Sequence, residues 1–202
     1  MGGSSRSVIW IVGDSYIARA HQRLQIYPPG TLLSFLPTQV VIQWFGVGGM
    51  RWEQVLLKFA AQMRIAMPPD ILVVHCGGND LGRVSQRELI RVMRCDLERI
   101  MQLAPNVKIV FSEMVSRIHW RFVNTWEAIE RSRKVINKQS AGIVRKMGGF
   151  NVRHKYVVTG DPGYYLKDGV HLSQVGLDIF VLGLQDGIER VLGECVGGAR
   201  PA

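Results

Sequence analysis

Short apolar runs alternate along this chain with longer segments in which apolar residues recur at every third or fourth position. A continuous apolar run is typical of a strand buried on both faces of a parallel sheet, and the three-to-four spacing predicts an amphipathic helix. The runs predict strands over residues 8–12, 40–45, 70–77, 107–115 and 150–158. The spacing predicts helices over residues 16–25, 51–67, 85–103, 126–146 and 173–192. Because strands and helices alternate, we expect a doubly wound, three-layer α/β/α sandwich around a five-stranded parallel sheet.

The length of the chain indicates one domain, since 202 residues are enough to bury a full core. We place this domain at residues 8–193, after a disordered or artificially added N-terminus at residues 1–7 and before a loose tail at residues 194–202. No apolar run approaches the roughly 18 residues that a membrane-spanning helix needs, and no signal peptide is visible. We therefore expect a chain without a transmembrane segment.

The net charge and the cysteines indicate the kind of partner and the cellular compartment to expect. A formal net charge of +9 suits a partner that carries phosphates, such as nucleic acid, or an anionic surface. The helix predicted at 126–146 is either part of a nucleic-acid surface or simply a solvated face. Its basic residues are Arg131, Arg133, Lys134, Lys138, Arg145 and Lys146. The cysteines Cys76, Cys95 and Cys195 are odd in number and unpaired in spacing, so we expect a reducing, cytoplasmic compartment.

Gly13, Asp14 and Ser15 follow directly on the first predicted strand and lead into the first predicted helix. In open α/β sheets, ligands bind at the carboxyl ends of the strands, where helix N-termini favour negative charge. A serine hydroxyl at this point is well placed to act as a nucleophile that becomes acylated. The alternative is that Asp14 and Ser15 only cap the helix.

Two further clusters fall at the same edge of the predicted sheet. Gly46-Val47-Gly48-Gly49 follows the second strand, and Gly77-Gly78-Asn79-Asp80 follows the third. Glycines let backbone N–H groups approach a ligand, and an asparagine amide can donate a hydrogen bond to an oxyanion. Both clusters also suit tight turns, and that alternative stays open for each. The residues alone do not decide between Gly48 and Gly49 as a donor.

A histidine with a carboxylate partner stands in Asp168-Gly169-Val170-His171. A carboxylate three residues before a histidine can bind its Nδ1 and leave Nε2 free, which fixes the tautomer of a general base. His119 lies in an irregular stretch at 116–125, where it either lines a site or is solvated. We find no spacing typical of metal ligands, and we expect neither a metal nor a cofactor.

Together the four clusters resemble the SGNH (GDSL) hydrolase superfamily. Its marks are Gly-Asp-Ser near the N-terminus, a glycine after the second strand, Gly-x-Asn-Asp after the third and Asp-x-x-His near the C-terminus. All four stand here in order between residues 13 and 171. The block from Phe45 to Gly49 is similar to that of the platelet-activating-factor acetylhydrolase branch, although Met50 stands where that branch usually has an acidic residue. Esterase domains of this type also occur in retroelement-encoded proteins, which the basic charge would suit.

The resemblance implies a flavodoxin-like fold and a serine esterase. It makes Ser15 the nucleophile, His171 the base and Asp168 the residue that orients the base. It assigns the oxyanion hole to the N–H groups of Ser15 and Gly49 and to the amide of Asn79. We expect hydrolysis of small, short-acyl carboxylic esters through an acyl-enzyme, since no long apolar insertion supplies a lid. The alternatives are a basic, nucleic-acid-associated module and a catalytically idle binding domain of the same fold.

Overall fold

The structure is a computed structural model and describes residues 6–120, 125–157 and 161–197. Its strands are β1 (Ser7–Gly13), β2 (Val40–Gly46), β3 (Ile71–His75), β4 (Lys108–Ser112) and β5 (Phe150–Val152). Its helices are α1 (Ser15–Leu24), α2 (Glu53–Gln62), α3 (Gln86–Leu103), α4 (Trp126–Lys146) and α5 (Gln174–Gly197). Strands and helices alternate along the chain, as the hydrophobic pattern predicts.

The five strands are parallel and stand in the order β2-β1-β3-β4-β5. β1 pairs with β2 up to Gly13↔Gly46 and with β3 up to Gly13↔His75. β2 lies on one side of β1, and β3 and the later strands lie on the other. Where the strand order changes side in this way, a crevice opens outside the carboxyl ends of the strands. The topology therefore directs ligands to the loops that follow Gly13 and His75.

Alternate residues of β1 face the two helical layers. Trp10 and Val12 are buried in one core with side chains of α2, α3 and α4, whereas Ile9 and Ile11 are buried in a second core with side chains of α1 and α5. A parallel strand with both faces covered must be apolar throughout. The predicted doubly wound α/β/α sandwich is confirmed.

Four predicted elements are longer than the observed ones. β3 covers Ile71–His75 rather than residues 70–77, because the chain turns at Gly77 and Gly78. α2 ends at Gln62 rather than at residue 67, because Ile65 and Met67 are 80% and 77% exposed and give a longer helix no packing. The prolines that follow also disfavour a helical residue before them. β4 ends at Ser112 rather than at 115, and β5 ends at Val152 rather than at 158, because its one neighbour in the sheet has already ended.

α5 is longer than predicted and continues to Gly197, so residues 194–197 are helical where we expected a loose tail. Gly193 does not end the helix, because a glycine costs a helix only about 1 kcal/mol. The buried Ile188 and Val191 hold the preceding turns against the sheet. Neither α5 nor any other helix of the described ranges is long and apolar enough to cross a bilayer.

Some predictions fall on residues that the structure does not describe. These are the N-terminal residues 1–5, residues 121–124 of the irregular stretch, residues 158–160 after β5, and residues 198–202 of the tail. The described part of the irregular stretch, residues 116–120, contains neither helix nor strand, as expected.

Candidate active site

The turn from β1 into α1 carries the first predicted motif. A Cβ at Gly13 would overlap the carbonyl of His75 and the side chain of Ile17, so that only glycine fits there. The Asp14 carboxylate accepts a hydrogen bond from the Tyr16 N–H at 3.0 Å and caps α1. The cap is therefore Asp14, and Ser15 is the first residue of the helix.

Ser15 lies half-buried where the helix begins, at the crevice beyond β1. Within the described ranges, no group accepts a hydrogen bond from its N–H, and none binds its hydroxyl. The N–H is one of the unpaired donors that every helix N-terminus presents, and such donors attract anions. Ser15 thus offers a hydroxyl and an N–H donor at the same point.

Asp168 and His171 are hydrogen-bonded as predicted. Nδ1 of His171 lies 2.6 Å from Oδ2 of Asp168. Oδ1 of Asp168 accepts from the N–H groups of Val170 and His171, both at 2.9 Å. Partial burial alone would raise the pKa of Asp168, but the hydrogen bonds from the ring and from the two N–H groups hold that pKa well below its usual range. Asp168 is therefore ionised at neutral pH and leaves Nε2 of His171 available.

The loop that carries this pair is tied to α1 and to the irregular stretch. The Tyr16 hydroxyl donates to the Val170 carbonyl at 2.6 Å. The His119 N–H donates to the Gly169 carbonyl at 3.0 Å, and Nδ1 of His119 lies 3.1 Å from the Asp168 carbonyl. Gly169 has a φ of 63°, and a Cβ there would overlap the His119 ring. His119 therefore braces the turn.

Ser15 and His171 belong to neighbouring segments, because each directly precedes or follows a residue of the Tyr16–Val170 hydrogen bond. Their side chains are not hydrogen-bonded to each other among the contacts of the described residues. A catalytic hydrogen bond is often long in a free enzyme and shortens only when substrate binds. The structure joins the segments that carry Ser15 and His171 and shows no hydrogen bond between the two side chains.

Asn79, in the loop after β3, is held at both ends of its amide. Nδ2 donates to the Met50 carbonyl at 3.0 Å, and Oδ1 accepts from Nη1 and Nη2 of Arg117 at 3.3 and 3.2 Å. These contacts fix the orientation of the amide and leave one Nδ2 hydrogen for a ligand. The N–H of Gly49, a residue with φ of 72°, has no acceptor in the described ranges.

Arg117 is a site residue that the sequence analysis missed. Its side chain is 8% exposed and lies 3.9 Å from Oδ2 of Asp14. Its guanidinium lies 5.0 Å from the ring centre of Trp120 and 5.8 Å from that of Tyr16. An arginine is almost never buried unless it is paired. The signal in the sequence was an irregular stretch of basic and aromatic residues, which periodicity cannot place.

Two carboxyl groups are buried behind the site. Burial raises the pKa of Asp14 to about 6, although the charge of Arg117 and the N–H of Tyr16 oppose the shift. Burial likewise raises the pKa of Asp80 to about 6, although Asp80 accepts a hydrogen bond from the Trp52 N–H at 2.9 Å. That hydrogen bond joins the loops after β2 and β3, so Asp80 braces the site.

A cavity of about 230 Å³ opens beside Asn79. The described residues that line it are Gly49, Arg51, Gly78, Asn79, Leu81, Arg83, Arg117 and Trp120. Ser15 and His171 are not part of its wall. Gly49 is part of the wall and Gly48 is not, which favours Gly49 where the residues alone left the choice open.

Two further histidines, His75 and His154, share one hydrogen-bonding partner. Nδ1 of His75 and Nε2 of His154 lie 2.9 and 2.7 Å from the same Ser112 hydroxyl. Burial lowers the pKa of His75 to about 3 and that of His154 well below its ordinary value, so both rings are neutral. Among the described residues, His171 is the one histidine whose ring contacts a carboxylate.

The sequence model of the GDSL-like lipase/acylhydrolase family matches residues 11–179, a stretch that contains all four motifs. The chain belongs to this family. The resemblance to SGNH (GDSL) hydrolases is confirmed, and the protein is a carboxylic ester hydrolase. Membership of the acetylhydrolase-like or retroelement-type branch stays a prediction.

Solved hydrolases share the fold of this GDSL-like hydrolase. A GDSL-like lipase from Bacteroides thetaiotaomicron has a TM-score of 0.68 at 16% identity, over 96% of this chain and 93% of its own. The psychrotrophic esterase EstA from Pseudoalteromonas sp. has a TM-score of 0.70 at 14% identity, over 93% and 99%. Axe2, an acetylxylan esterase from Geobacillus stearothermophilus, has a TM-score of 0.62 at 16% identity, over 93% and 96%. A search of curated proteins found no match.

Proposed function

We propose that this protein hydrolyses short-acyl carboxylic esters, with Ser15 as nucleophile and His171 as base. The observation that carries the proposal is the 2.6 Å hydrogen bond from the Tyr16 hydroxyl to the Val170 carbonyl. It ties the loop of His171 to the helix that begins at Ser15. A nucleophile, an oriented base and unpaired N–H donors at one edge of a sheet are the parts that acyl transfer needs.

In the first half of the reaction, Oγ of Ser15 attacks the carbonyl carbon of the ester, and its proton passes to Nε2 of His171. The negative charge on the former carbonyl oxygen is stabilised by the N–H groups of Ser15 and Gly49 and by the Asn79 amide. The intermediate then expels the alcohol, which takes the proton from His171. The acyl group stays on Ser15.

In the second half, water attacks the acyl-enzyme and gives its proton to His171. The intermediate collapses, the proton returns to Ser15, and the carboxylic acid leaves. Asp168 remains ionised through both halves, because its hydrogen bonds stabilise the carboxylate, and it stabilises the imidazolium each time the ring is protonated.

The small cavity beside Asn79 supports a short acyl group. Pockets for drug-sized ligands hold about 300–1,000 Å³. The cavity here holds about 230 Å³, and Leu81 and Trp120 are the large apolar side chains among its described lining residues. Acetyl and butyryl groups suit such a space, and a palmitoyl chain does not.

The test is the value of kcat/KM on p-nitrophenyl acetate, butyrate, octanoate and palmitate. We expect acetate and butyrate to exceed palmitate, and Ser15→Ala to fall to the background rate on each ester. Ser132→Ala is the control. It removes a hydroxyl of α4 that donates a hydrogen bond to the side chain of Gln86 on α3. Equal turnover by the Ser15→Ala variant would contradict the mechanism, and a preference for palmitate would contradict the short acyl group.

A second candidate function is the binding of single-stranded nucleic acid. A groove of about 1,040 Å³ lies beside the edge strand β5, between α4 and α5. Its described wall has five basic residues and two acidic ones: Lys138, Arg145, Arg153, Lys155, Arg190, Glu113 and Asp186. Tyr156 in the same wall is 65% exposed, with Nζ of Lys155 4.8 Å from its ring centre.

A cationic groove with an exposed aromatic ring suits single-stranded nucleic acid, because phosphates follow the charges and a base stacks on the ring. Of the basic residues predicted on α4, Lys138 and Arg145 line the groove. Arg133 instead pairs with Glu130 at 2.7 Å. We therefore place the proposed contact at the groove and not on the whole face of α4.

A further inference from the structure

Arg117 contacts two of the loops that form the proposed active site. Its Nη1 and Nη2 lie 3.3 and 3.2 Å from Oδ1 of Asn79, in the loop after β3. Nη2 also lies 3.9 Å from Oδ2 of Asp14, the residue directly before Ser15. One guanidinium group therefore connects the turn that carries the proposed nucleophile to the amide of the proposed oxyanion hole.

The position of this guanidinium group is fixed before a substrate binds. The side chain is buried, and its guanidinium lies 5.0 Å from the ring centre of Trp120. The Arg117 carbonyl accepts a hydrogen bond from Nε1 of Trp126 at 2.9 Å. Gly78 leaves room for the guanidinium, since a Cβ there would lie 2.9 Å from Nη2. A side chain held in this way orients a neighbouring group without a further large loss of conformational entropy.

The partners of the Asn79 amide determine which of its two ends faces each neighbour. A guanidinium group only donates hydrogen bonds, so Arg117 requires Oδ1 on its side of the amide. The Met50 carbonyl only accepts, so it requires Nδ2, from which it lies 3.0 Å away. The reversed amide would place donor against donor at Arg117 and acceptor against acceptor at Met50. The second hydrogen of Nδ2 is therefore held in one direction.

The charge of Arg117 also acts on this amide. A cation at Oδ1 draws electron density away from Nδ2, and groups in a hydrogen-bonded chain polarise and strengthen one another. Nδ2 is therefore a stronger donor than it would be with a neutral partner at Oδ1. A stronger donor contributes most where negative charge develops, as on the oxyanion of the transition state.

We propose that Arg117 is a positioning residue for ester hydrolysis, which directs Nδ2 of Asn79 towards the oxyanion and strengthens it as a donor. The inference rests on the proposed function, because it takes Asn79 as an oxyanion donor. The alternative is a purely structural role, in which Arg117 only compensates the charge of the buried Asp14. A structural role affects the stability of the fold, whereas the positioning role affects kcat and requires the amide of Asn79.

The test is a double-mutant cycle of Arg117→Ala and Asn79→Ala, with kcat and KM measured on p-nitrophenyl acetate. We expect Arg117→Ala to lower kcat by about 10- to 100-fold with little change in KM, because a displaced catalytic group can cost about 100-fold. In protein that already carries Asn79→Ala, the same change should lower kcat by less than about threefold, because its effect passes through the lost amide.

Chemical rescue provides a second readout. Guanidinium chloride at millimolar concentration, far below denaturing concentrations, should restore part of the lost kcat in Arg117→Ala, and the same concentration of potassium chloride should not. The rescue should be absent in the double variant, since the added cation has no amide to orient.

Arg117→Lys keeps a positive charge beside Asp14 and removes the planar fork, so it replaces Arg117→Ala in the cycle if the alanine variant does not fold. It should lower kcat by about tenfold at a melting temperature close to that of the wild type. Arg23→Ala is the matched control, because Arg23 is also a shielded arginine in a two-point contact, with the Asp178 carboxylate on α5. It should lower the melting temperature and leave kcat unchanged.

Wild-type kcat in both Arg117 variants overturns the inference while the proposed esterase function stands. So does a loss of kcat, or a rescue by guanidinium, that is equally large with and without the amide of Asn79. Full turnover by Asn79→Ala alone would instead contradict the oxyanion hole of the proposed function, and the inference would fall with it.

Discussion

Asn79 joins the loop after β2 to Arg117 through the two ends of one amide, so its orientation is fixed before a substrate arrives. The charge that it is proposed to stabilise exists only in the transition state. Asn79→Ala should therefore lower kcat by about 10²–10³-fold, the usual cost of one oxyanion donor, with little change in KM. Steady-state kinetics on p-nitrophenyl acetate measure both constants.

Asn137 on α4 provides the matched control. It is buried, and its amide donates to the Met114 carbonyl at 2.9 Å and accepts from the Met114 N–H at 3.0 Å. Asn137→Ala should lower the melting temperature and leave the turnover of the folded fraction unchanged. The same result for Asn79→Ala, a lower melting temperature with full turnover, would make Asn79 a turn residue and remove it from the oxyanion hole.

The residues of the Asp168–His171 pair were predictable from sequence, because their spacing is local and their chemistry depends on each other. Arg117 was not, since two of its partners, Asp14 and Asn79, lie in loops that are distant in sequence. No period or spacing connects residues that meet only after the sheet has formed. A buried arginine becomes visible only in the folded chain.

At the scale of elements, the strands and helices could be predicted because the topology demands a simple pattern. A strand such as β1, with a helical layer on each face, must be apolar along its length, and a helix on such a layer must be apolar on one face. The order of elements then leads to a parallel sheet. In a parallel sheet the carboxyl ends of all strands lie at one edge, and the predicted motifs stand in the loops at that edge.

The ends of the elements depend on neighbours that the pattern does not contain. β5 is short because β4 ends at Ser112, and α5 is long because Ile188 and Val191 pack against the sheet. The contact of His75 and His154 with the same Ser112 hydroxyl likewise depends on neighbours in the folded chain. It joins residues at the ends of different strands, whose separation in sequence carries no signal.

At the scale of the whole molecule, the net charge of +9 has a testable consequence. If the groove beside β5 binds single-stranded RNA, the logarithm of the association constant should fall linearly with the logarithm of the salt concentration, because bound counterions are released. Fluorescence anisotropy with a labelled oligonucleotide measures this slope. The double variant Lys155→Gln with Tyr156→Ala should weaken binding at every salt concentration.

Arg64→Gln serves as the control, because it removes a positive charge from an exposed position outside the groove. It should weaken binding much less than the double variant does. Absence of binding at low salt, or an equal loss of affinity in both variants, would contradict the proposed nucleic-acid site at the groove.

The central claim is that Ser15 is the nucleophile of an ester hydrolase, and the most direct measurement is covalent labelling with diethyl p-nitrophenyl phosphate. The reagent transfers its diethylphosphoryl group to an activated serine and releases p-nitrophenolate. We expect mass spectrometry of the digested protein to find one such group, on Ser15, and esterase activity to disappear in step with labelling. His171→Ala should slow the labelling, since the base that activates the hydroxyl is gone. Labelling at another residue, or full activity in protein whose Ser15 is completely labelled, would contradict the account.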